Sequence, residues 1–292
     1  MQQDPIQIKF QNRQNPQAGF DLVEMDEVFK RKDLGHSPFQ LHLVNFYLIV
    51  LFEEGQSSHT IDFTDYSCVR GSLITVRKDQ IHRFHNNPGI KGKMLLFTDE
   101  FLVSYLEKLE AQKSLQVFNE LLGIPIIQLS EDEFEEMEKL IARIHEEYFK
   151  IADDYSLGII RSELHILLAK LYRIKSQQNQ IIENRKYLSE FIQFQNLVEQ
   201  HARQFTRVKV YADMMGVSSK TLNTYTQSIV HKSAKEFIDE ICTKQIKRLL
   251  INTELSVKEI AYASGFEETT NFYKYFKRQT NLTPEGFRDS AR

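Results

Sequence analysis

The spacing of apolar residues changes partway along the chain. Up to about residue 98 they come in short runs bounded by turn residues. Leu41 to Phe52 is a long apolar stretch rich in β-formers, and His59 to Thr64 alternates, with Ile61 and Phe63 on one face. Ser72–Arg77 and Gln80–His85 flank the turn-like pair Lys78-Asp79, and Gly92–Thr98 is a further short run. Several short strands at close spacing predict a sandwich or barrel. From Asp99 the period becomes helical. Phe101, Leu102, Tyr105, Leu106 and Leu109 follow the i, i+3/i+4 rhythm.

Ser130 and Glu133 have capping-box spacing ahead of a helix expected to reach about Lys150. A third helix is expected over Leu157–Ile174, where Ile160, Leu164, Leu167, Leu168 and Leu171 form an apolar stripe. That stripe either packs on the β structure or pairs with a second subunit. Ser176–Lys186, rich in Gln and Asn, has the composition of a linker, which places domains at 1–178 and 188–292 around a linker at 179–187. From Leu188 onward about seven short helices are expected. Ser218, Ser233 and Ser256 are candidate N-caps, and Thr283-Pro284 puts proline at a first helical position.

Composition narrows the class. The 292 residues are 41% hydrophobic and 26% charged, as in globular proteins. The longest purely apolar run, Phe46–Phe52, falls far short of the ~20 residues of a membrane helix. Met1–Phe10 lack the basic start and apolar stretch of a secretory signal, so a cytoplasmic protein with no membrane partner is expected. Cys68 and Cys242 have no Cys or His partner at metal spacing and read as reduced, buried thiols. Net charge is −3 but unevenly spread. Residues 185–292 carry 17 Lys and Arg against 12 Asp and Glu, a net of +5, while residues 1–184 carry 20 against 28, a net of −8. The basic end favours a phosphate backbone without demonstrating that it binds one.

A repeat in the last 85 or so residues carries the functional signal. Val208 to Val217 followed by Ser218-Ser219-Lys220-Thr221-Leu222 matches Val257 to Phe266 followed by Glu267-Glu268-Thr269-Thr270-Asn271-Phe272. Each copy is a short helix with a central Ala (Ala212, Ala261), then a Gly (Gly216, Gly265), an apolar residue (Val217, Phe266) and a polar start to a second helix. The Ala allows close helix approach, the Gly ends the first helix in a left-handed conformation, and the apolar residue fills the angle between helices. The second helix can then present a polar face to a major groove. Two such units joined by a helical stretch, Ser233–Asn252, are a far more specific signal than one.

This segment resembles the DNA-binding domain of the AraC/XylS family of bacterial transcription regulators. The match is closest at Ile260-Ala261, Gly265-Phe266, Asn271-Phe272, Phe276-Lys277-Arg278, Leu282-Thr283-Pro284 and Phe287-Arg288. Gly71–Val76 followed by Ile81-His82 is similar to a recurring stretch of the family's cupin-like regulatory domain. The implied fold is α+β in two domains: an N-terminal cupin-like β-barrel with helices, then an all-α domain with two helix-turn-helix units. Asn281 stands where the family usually has Gly, and Asn tolerates the same turn. The first unit departs further, with Thr226-Gln227 and His231 in place of a Phe-Lys pair and a later Gly.

By this resemblance the two recognition helices would lie in successive major grooves of promoter DNA. The candidate contacts are Ser219, Lys220, Asn223, Thr224 and Gln227 in the first unit, and Glu268, Thr269, Thr270, Asn271, Lys274 and Lys277 in the second. Asn, Gln and Thr read base edges, whereas Lys more often meets phosphate. Glu268 either accepts from a cytosine amine or stays solvated near a helix start. An activator of this kind would also meet RNA polymerase, and the resemblance favours a homodimer.

In the N-terminal half, barrel mouths commonly bind small molecules, and Tyr47, Phe52, Arg70, Arg77, His82 and Phe84 are candidate lining residues for an effector, with core packing the competing role. The sequence names no effector and leaves open whether the barrel responds to one. His82 and His85, three apart on a strand, point to opposite faces and have no carboxylate at motif spacing, so no metal is expected. A cupin enzyme would need a metal set or an activated nucleophile; neither pattern occurs, and no cofactor is expected. The alternative to a DNA-binding regulator is a small-molecule-binding module with a weakened DNA-binding domain, motivated by the altered first unit.

Overall fold

The computed structural model describes residues 6–12, 15, 18–31, 34–62, 64–78, 80–87, 89–103, 115–118, 125–178, 187–201 and 207–291. The chain divides into two compact units, one ending at residue 179 and the other beginning at 180.

The N-terminal unit contains β1 (Ile6–Ile8), β2 (Phe20–Glu24), α1 (Met25–Lys30), β3 (His42–Val44), β4 (Tyr47–Glu54), β5 (Gln56–Ile61), β6 (Thr64–Val69), β7 (Ser72–Val76), β8 (Ile81–Phe84), β9 (Lys91–Phe97), α2 (Asp99–Val103), β10 (Ile126–Gln128), α3 (Glu131–Glu146) and α4 (Ser156–Gln178). The strands form two five-stranded sheets, ordered β1-β3-β8-β5-β6 and β10-β7-β4-β9-β2. Only β1 and β3 pair in parallel among the described strands. The expected barrel is thus realised as two facing sheets.

Strand β4 explains the layering. Leu48, Val50 and Phe52 point into a core shared by both sheets, with Val44, Ile74, Val76, Phe84 and Met94. Ile49 and Leu51 point the other way, into a core built with Phe134, Leu140, Leu164 and Leu168 of α3 and α4. A strand buried on both faces is apolar at successive positions rather than alternating, which is why Tyr47–Phe52 reads as one unbroken run. The apolar stripe of α4 packs inward, and Ile160, Leu164, Leu167, Leu168 and Leu171 are all 0% exposed.

Two expected strands have different limits. The stretch from Leu41 breaks at Asn45-Phe46, so that β3 and β4 enter different sheets. His59–Thr64 straddles a hairpin: β5 ends at Ile61, Asp62 turns with φ 43°, and β6 begins at Thr64. Phe63, Asp79, Tyr105, Leu106, Leu109 and most of the expected linker lie outside the described residues. Strands β1, β2 and β6 and helix α1 had no clear pattern in the sequence. The Ser130–Glu133 capping box forms in full, and α3 runs on through one π turn at Glu147–Ile151.

The C-terminal unit holds seven helices among the described residues: α5 (Leu188–His201), α6 (Val208–Met214), α7 (Ser219–Val230), α8 (Ala234–Asn252), α9 (Val257–Ala263), α10 (Thr269–Thr280) and α11 (Pro284–Ala291). Helix α8 packs against each of the six others. Its Phe237 meets Phe191 and Phe194 of α5, with ring centroids 5.1 and 5.3 Å apart. Cys68 and Cys242 are buried free thiols, pushed up to about 12 and about 11 by desolvation.

Phe52, offered by the sequence as an effector-lining residue, is a core residue at 1% exposure. Phe52→Ala is expected to cost about 3–5 kcal/mol, read as a lowered urea midpoint. A loss under about 1 kcal/mol would place its ring outside the core.

Candidate nucleic-acid interface

The two helix-turn-helix corners are built from the same backbone bonds. In the first, Gly216 (φ 66°) donates to the Asp213 carbonyl at 3.1 Å and Val217 to Ala212 at 3.0 Å. In the second, Gly265 (φ 78°) donates to Tyr262 at 3.0 Å and Phe266 to Ala261 at 3.0 Å. Both are Schellman turns, which satisfy the last carbonyls of the first helix and need a residue at ease with positive φ. The second turn is one residue longer before its recognition helix begins. Phe266 fills that corner, its ring 5.3 Å from Phe272 and 5.1 Å from Tyr275.

The extra residue shifts the repeat from 49 to 50 positions along the recognition helices. Leu222 corresponds to Phe272 and Thr226 to Phe276, all fully buried. His231 and Asn281 then end α7 and α10 in the same left-handed conformation, at φ 54° and 61°. The unusual Thr226 sits in the core by turning its hydroxyl onto its own helix, 3.1 Å from the Asn223 carbonyl. The first unit's departures therefore leave its backbone path intact.

Ser218, Ser233 and Ser256 are N-caps, the last two with complete capping boxes. Thr283 takes the same role at α11, its hydroxyl oxygen accepting from Gly286 N at 3.0 Å. Glu268 stands at the N-cap of α10 without a side-chain bond to the helix.

The candidate contacts fall unevenly. In the first unit Lys220, Thr224 and Gln227 are exposed, while Ser219 and Asn223 are half-buried. Thr224 bonds the Lys220 carbonyl at 3.1 Å. Asn223 is committed to the fold: its amide donates to Ser219 O at 3.0 Å and its carbonyl accepts from Ala234 N at 2.8 Å, tying α7 to the start of α8. In the second unit Glu268, Thr270, Asn271, Lys274 and Lys277 are exposed and Thr269 is half-buried. Tyr273, at the position matching Asn223, makes the equivalent tie to the following helix by donating to Glu285.

Charge separates the two faces. Lys274, Lys277 and Arg278 on α10 correspond to the uncharged Thr224, Gln227 and Ser228 on α7. Lys274 and Lys277 form no ion pair among the described residues. Arg278 was not singled out from the sequence, though it lies four residues beyond Lys274 and so on the same helix face. Its guanidinium reaches only to 4.0 Å from Asp239 and leaves the side chain 66% exposed.

Buried polar groups lock these helices to α8. Tyr275 donates to Asp239, whose backbone and side-chain oxygens lie at 3.1 and 3.2 Å, and burial pushes the phenol above its ordinary range. Lys235 holds the same carboxylate at 2.6 Å. Arg288 donates to the carbonyls of Leu250 and Leu255 at 2.8 and 2.7 Å, closing the far end of α8.

In the N-terminal unit the six candidate lining residues do not converge. Tyr47 stacks on Phe97 at 5.5 Å in the helix-facing core, and Phe52 lies between the sheets. Arg70 makes a two-pronged ion pair with Glu131 at 2.6 and 2.7 Å over the Phe134 ring, which fixes the β6–β7 turn to α3. Arg77 is half-buried outside the cavity. Only His82 and Phe84 line the cavity, whose volume is about 250 Å³. The sequence missed His42, which faces His82 directly across the β3–β8 pair and also lines it. Cross-strand pairing across forty positions leaves no local spacing signal.

His82 stacks on His59, with Nδ1 and Nε2 3.2 Å apart. His85 points to the other face, bonding Thr60 at 2.8 Å and lying 3.6 Å from Asp65, a carboxylate partner that spacing did not reveal. Desolvation pulls His42 down to about 4 and His59 to about 3, and holds His82 well below its ordinary value. Among the described residues no group of three His, Cys, Asp or Glu could hold a metal ion.

Two expectations follow. Gly265→Ala forces a Cβ into the left-handed region and should destabilise the C-terminal unit by about 1 kcal/mol, read by urea unfolding; an unchanged midpoint would deny the corner its strain. The buried histidines favour folding least in acid: below 6.5 the unfolded imidazoles take up protons that the folded ones refuse. Stability of the N-terminal unit should therefore fall as pH drops from 6.5 toward about 4, by up to about 1.4 kcal/mol per pH unit for each histidine. A urea midpoint that is flat between pH 7 and pH 5 would contradict this.

Two domain families match the chain, one within each of its two units. The AraC-like ligand binding domain family matches residues 30–150, and a helix-turn-helix domain family matches residues 211–290. The activator RhaS of Escherichia coli O81 (strain ED1a) is 21% identical over 259 residues, 87% of this chain and 89% of the relative. Among solved structures, ToxT from Vibrio cholerae O395 is 15% identical, with a TM-score of 0.43 over 93% of this chain and 97% of that one. The C-terminal domain of the response regulator yesN from Fusobacterium nucleatum is 26% identical, with a TM-score of 0.32 over 34% of this chain and 97% of that domain. With these two domain families matched in this order along one polypeptide, the chain belongs to the AraC/XylS family of bacterial transcription regulators.

Proposed function

We propose that the chain binds promoter DNA sequence-specifically through α7 and α10 and activates transcription under the control of a small molecule held in its N-terminal unit. The observation that carries this reading is the exposed polar face of two helices set by corners with the same Schellman hydrogen bonds, one of them bearing Lys274 and Lys277 without ion-pair partners among the described residues. The activator sign follows the name carried by the RhaS relatives, and it implies contact with RNA polymerase. In this reading Lys274, Lys277 and Arg278 meet phosphate, while Lys220, Thr224, Gln227, Glu268, Thr269, Thr270 and Asn271 face base edges or sugars. Ser219 and Asn223 support the surface rather than read sequence.

A second copy of the chain is the expected partner of α4. Ile159 and Ile166, seven residues apart on one helix face, are 45% and 44% exposed. Among the described residues no helix is long and apolar enough to cross a membrane, and the proposed site of action is the cytoplasm, where the promoter lies.

The two units should differ in what they contribute. Anisotropy titrations on a genomic fragment recovered by binding would separate them. Lys274→Ala and Lys277→Ala should each weaken binding to every fragment and lower the salt slope by about one. Gln227→Ala should cost about 1–3 kcal/mol on the preferred sequence only. Lysine variants that bind like the parent at all salt concentrations would overturn the assignment of this face.

A further inference from the structure

Strand β2 puts a carboxylate in the wall of the N-terminal cavity. Phe20 and Leu22 point into the helix-facing core, so the pleat turns Asp21 and Val23 to the opposite face. On that face Asp21 pairs with Leu96, and Leu96 with Leu48, and all three line the cavity. Asp21 Oδ1 is held in place, accepting from the Tyr148 hydroxyl and from Leu22 N, both at 2.9 Å. Oδ2 has no partner among the described residues and keeps accessible surface.

Three other charged side chains line the cavity, Lys9, Glu27 and Arg31, and all three are exposed. Salt and water screen exposed charges far more than withdrawn ones, so the half-buried Asp21 sets the sign of the field inside. Burial raises its carboxyl above the usual value, by more than the Tyr148 hydroxyl, Leu22 N and the charge of Arg31 lower it. The carboxylate is short of counter-charge, and a cation beside Oδ2 would supply it. The imidazoles offer none, because desolvation keeps His42 and His82 neutral.

The remaining walls suit an uncharged body. Val44, Phe46, Leu48 and Met94 are each no more than 4% exposed. Asn12 is committed, giving its amide to Phe20 O and the Tyr148 hydroxyl and its oxygen to Asn15 N. His42 bonds the Ser37 backbone through one ring nitrogen, and its Nε2 is sealed off. Gln11, His36 and the Nε2 atom of His82 have no hydrogen-bond partner among the described residues and remain available to hydroxyl groups on that body. A cavity of about 250 Å³ holds on the order of ten non-hydrogen atoms, by comparison with the ~150 Å³ that accommodates benzene.

We propose that this cavity binds a primary ammonium compound with a mainly apolar body of about that size, its ammonium group seated on Asp21 Oδ2. The assignment rests on the reading that the N-terminal unit senses a small molecule.

Calorimetric titration of the full chain at pH 7 with three probes of nearly equal shape tests it: benzylamine, benzyl alcohol and benzoate. Benzylamine, protonated at this pH, is expected to bind at least tenfold more tightly than either of the others. Asp21→Asn keeps an acceptor for Tyr148 and removes the charge, and it should shrink the advantage over benzyl alcohol to less than about threefold. The comparison of probes on the parent protein stands even if Asp21→Asn fails to fold. Equal binding of benzylamine and benzyl alcohol, tighter binding of benzoate, an advantage untouched by a folded Asp21→Asn, or no binding of benzylamine at millimolar concentration would each overturn the proposal. DNA binding measured without any probe reports on the regulator reading separately, so a failure of either is distinguishable from a failure of both.

Discussion

Helix α8 is the constraint on which the C-terminal surface depends, because every other helix of that unit packs against it. Its 19 residues span about 28 Å, close to the ~34 Å repeat of successive major grooves. The first unit hangs from its amino end, where Asn223 accepts from Ala234 N. The second is clamped along it by Tyr275 and Asp239 and closed at its far end by Arg288. Two recognition helices tied to one rod cannot change their separation without breaking buried hydrogen bonds, each of which costs about 1–3 kcal/mol to leave unmade.

Within that frame, the two units share backbone and differ in surface. The glycine corners are the same hydrogen bond for hydrogen bond, and the helix ends at His231 and Asn281 match although neither is glycine. What diverges is charge: α10 offers three cations where α7 offers hydroxyls and an amide. Phosphate attraction gives affinity without sequence information, whereas uncharged polar groups give information with less affinity. On the proposed DNA-binding reading, the second unit anchors and the first discriminates.

Much of this was legible in the sequence because it is local. Caps at Ser130, Ser218, Ser233 and Ser256, the glycines at 216 and 265, and the stripe of α4 all announce themselves within one or two helical turns. The losses are non-local. Leu41–Phe52 looks like one strand because burial on both faces erases alternation, and the break at Asn45 depends on Phe10, whose backbone N–H donates to the Asn45 side chain at 2.9 Å. Tyr47 and Arg70 have the right chemistry for a binding site, but sheet register sends them to a core and to an ion pair with Glu131. Asn223 looks like a base reader for the same reason: its amide would suit adenine, and only the position of Ala234 shows that its carbonyl also ties α7 to α8. His42 was overlooked because its partner His82 is forty residues away and adjacent only through the β3–β8 pair.

A rigid two-unit reader makes a geometric commitment that hydroxyl-radical footprinting of the full chain on its genomic fragment reads directly. The account predicts two patches of protected backbone on one face of the duplex, centred about one helical turn, ~10 bp, apart. A single patch, or protection spread evenly around the helix, would contradict it.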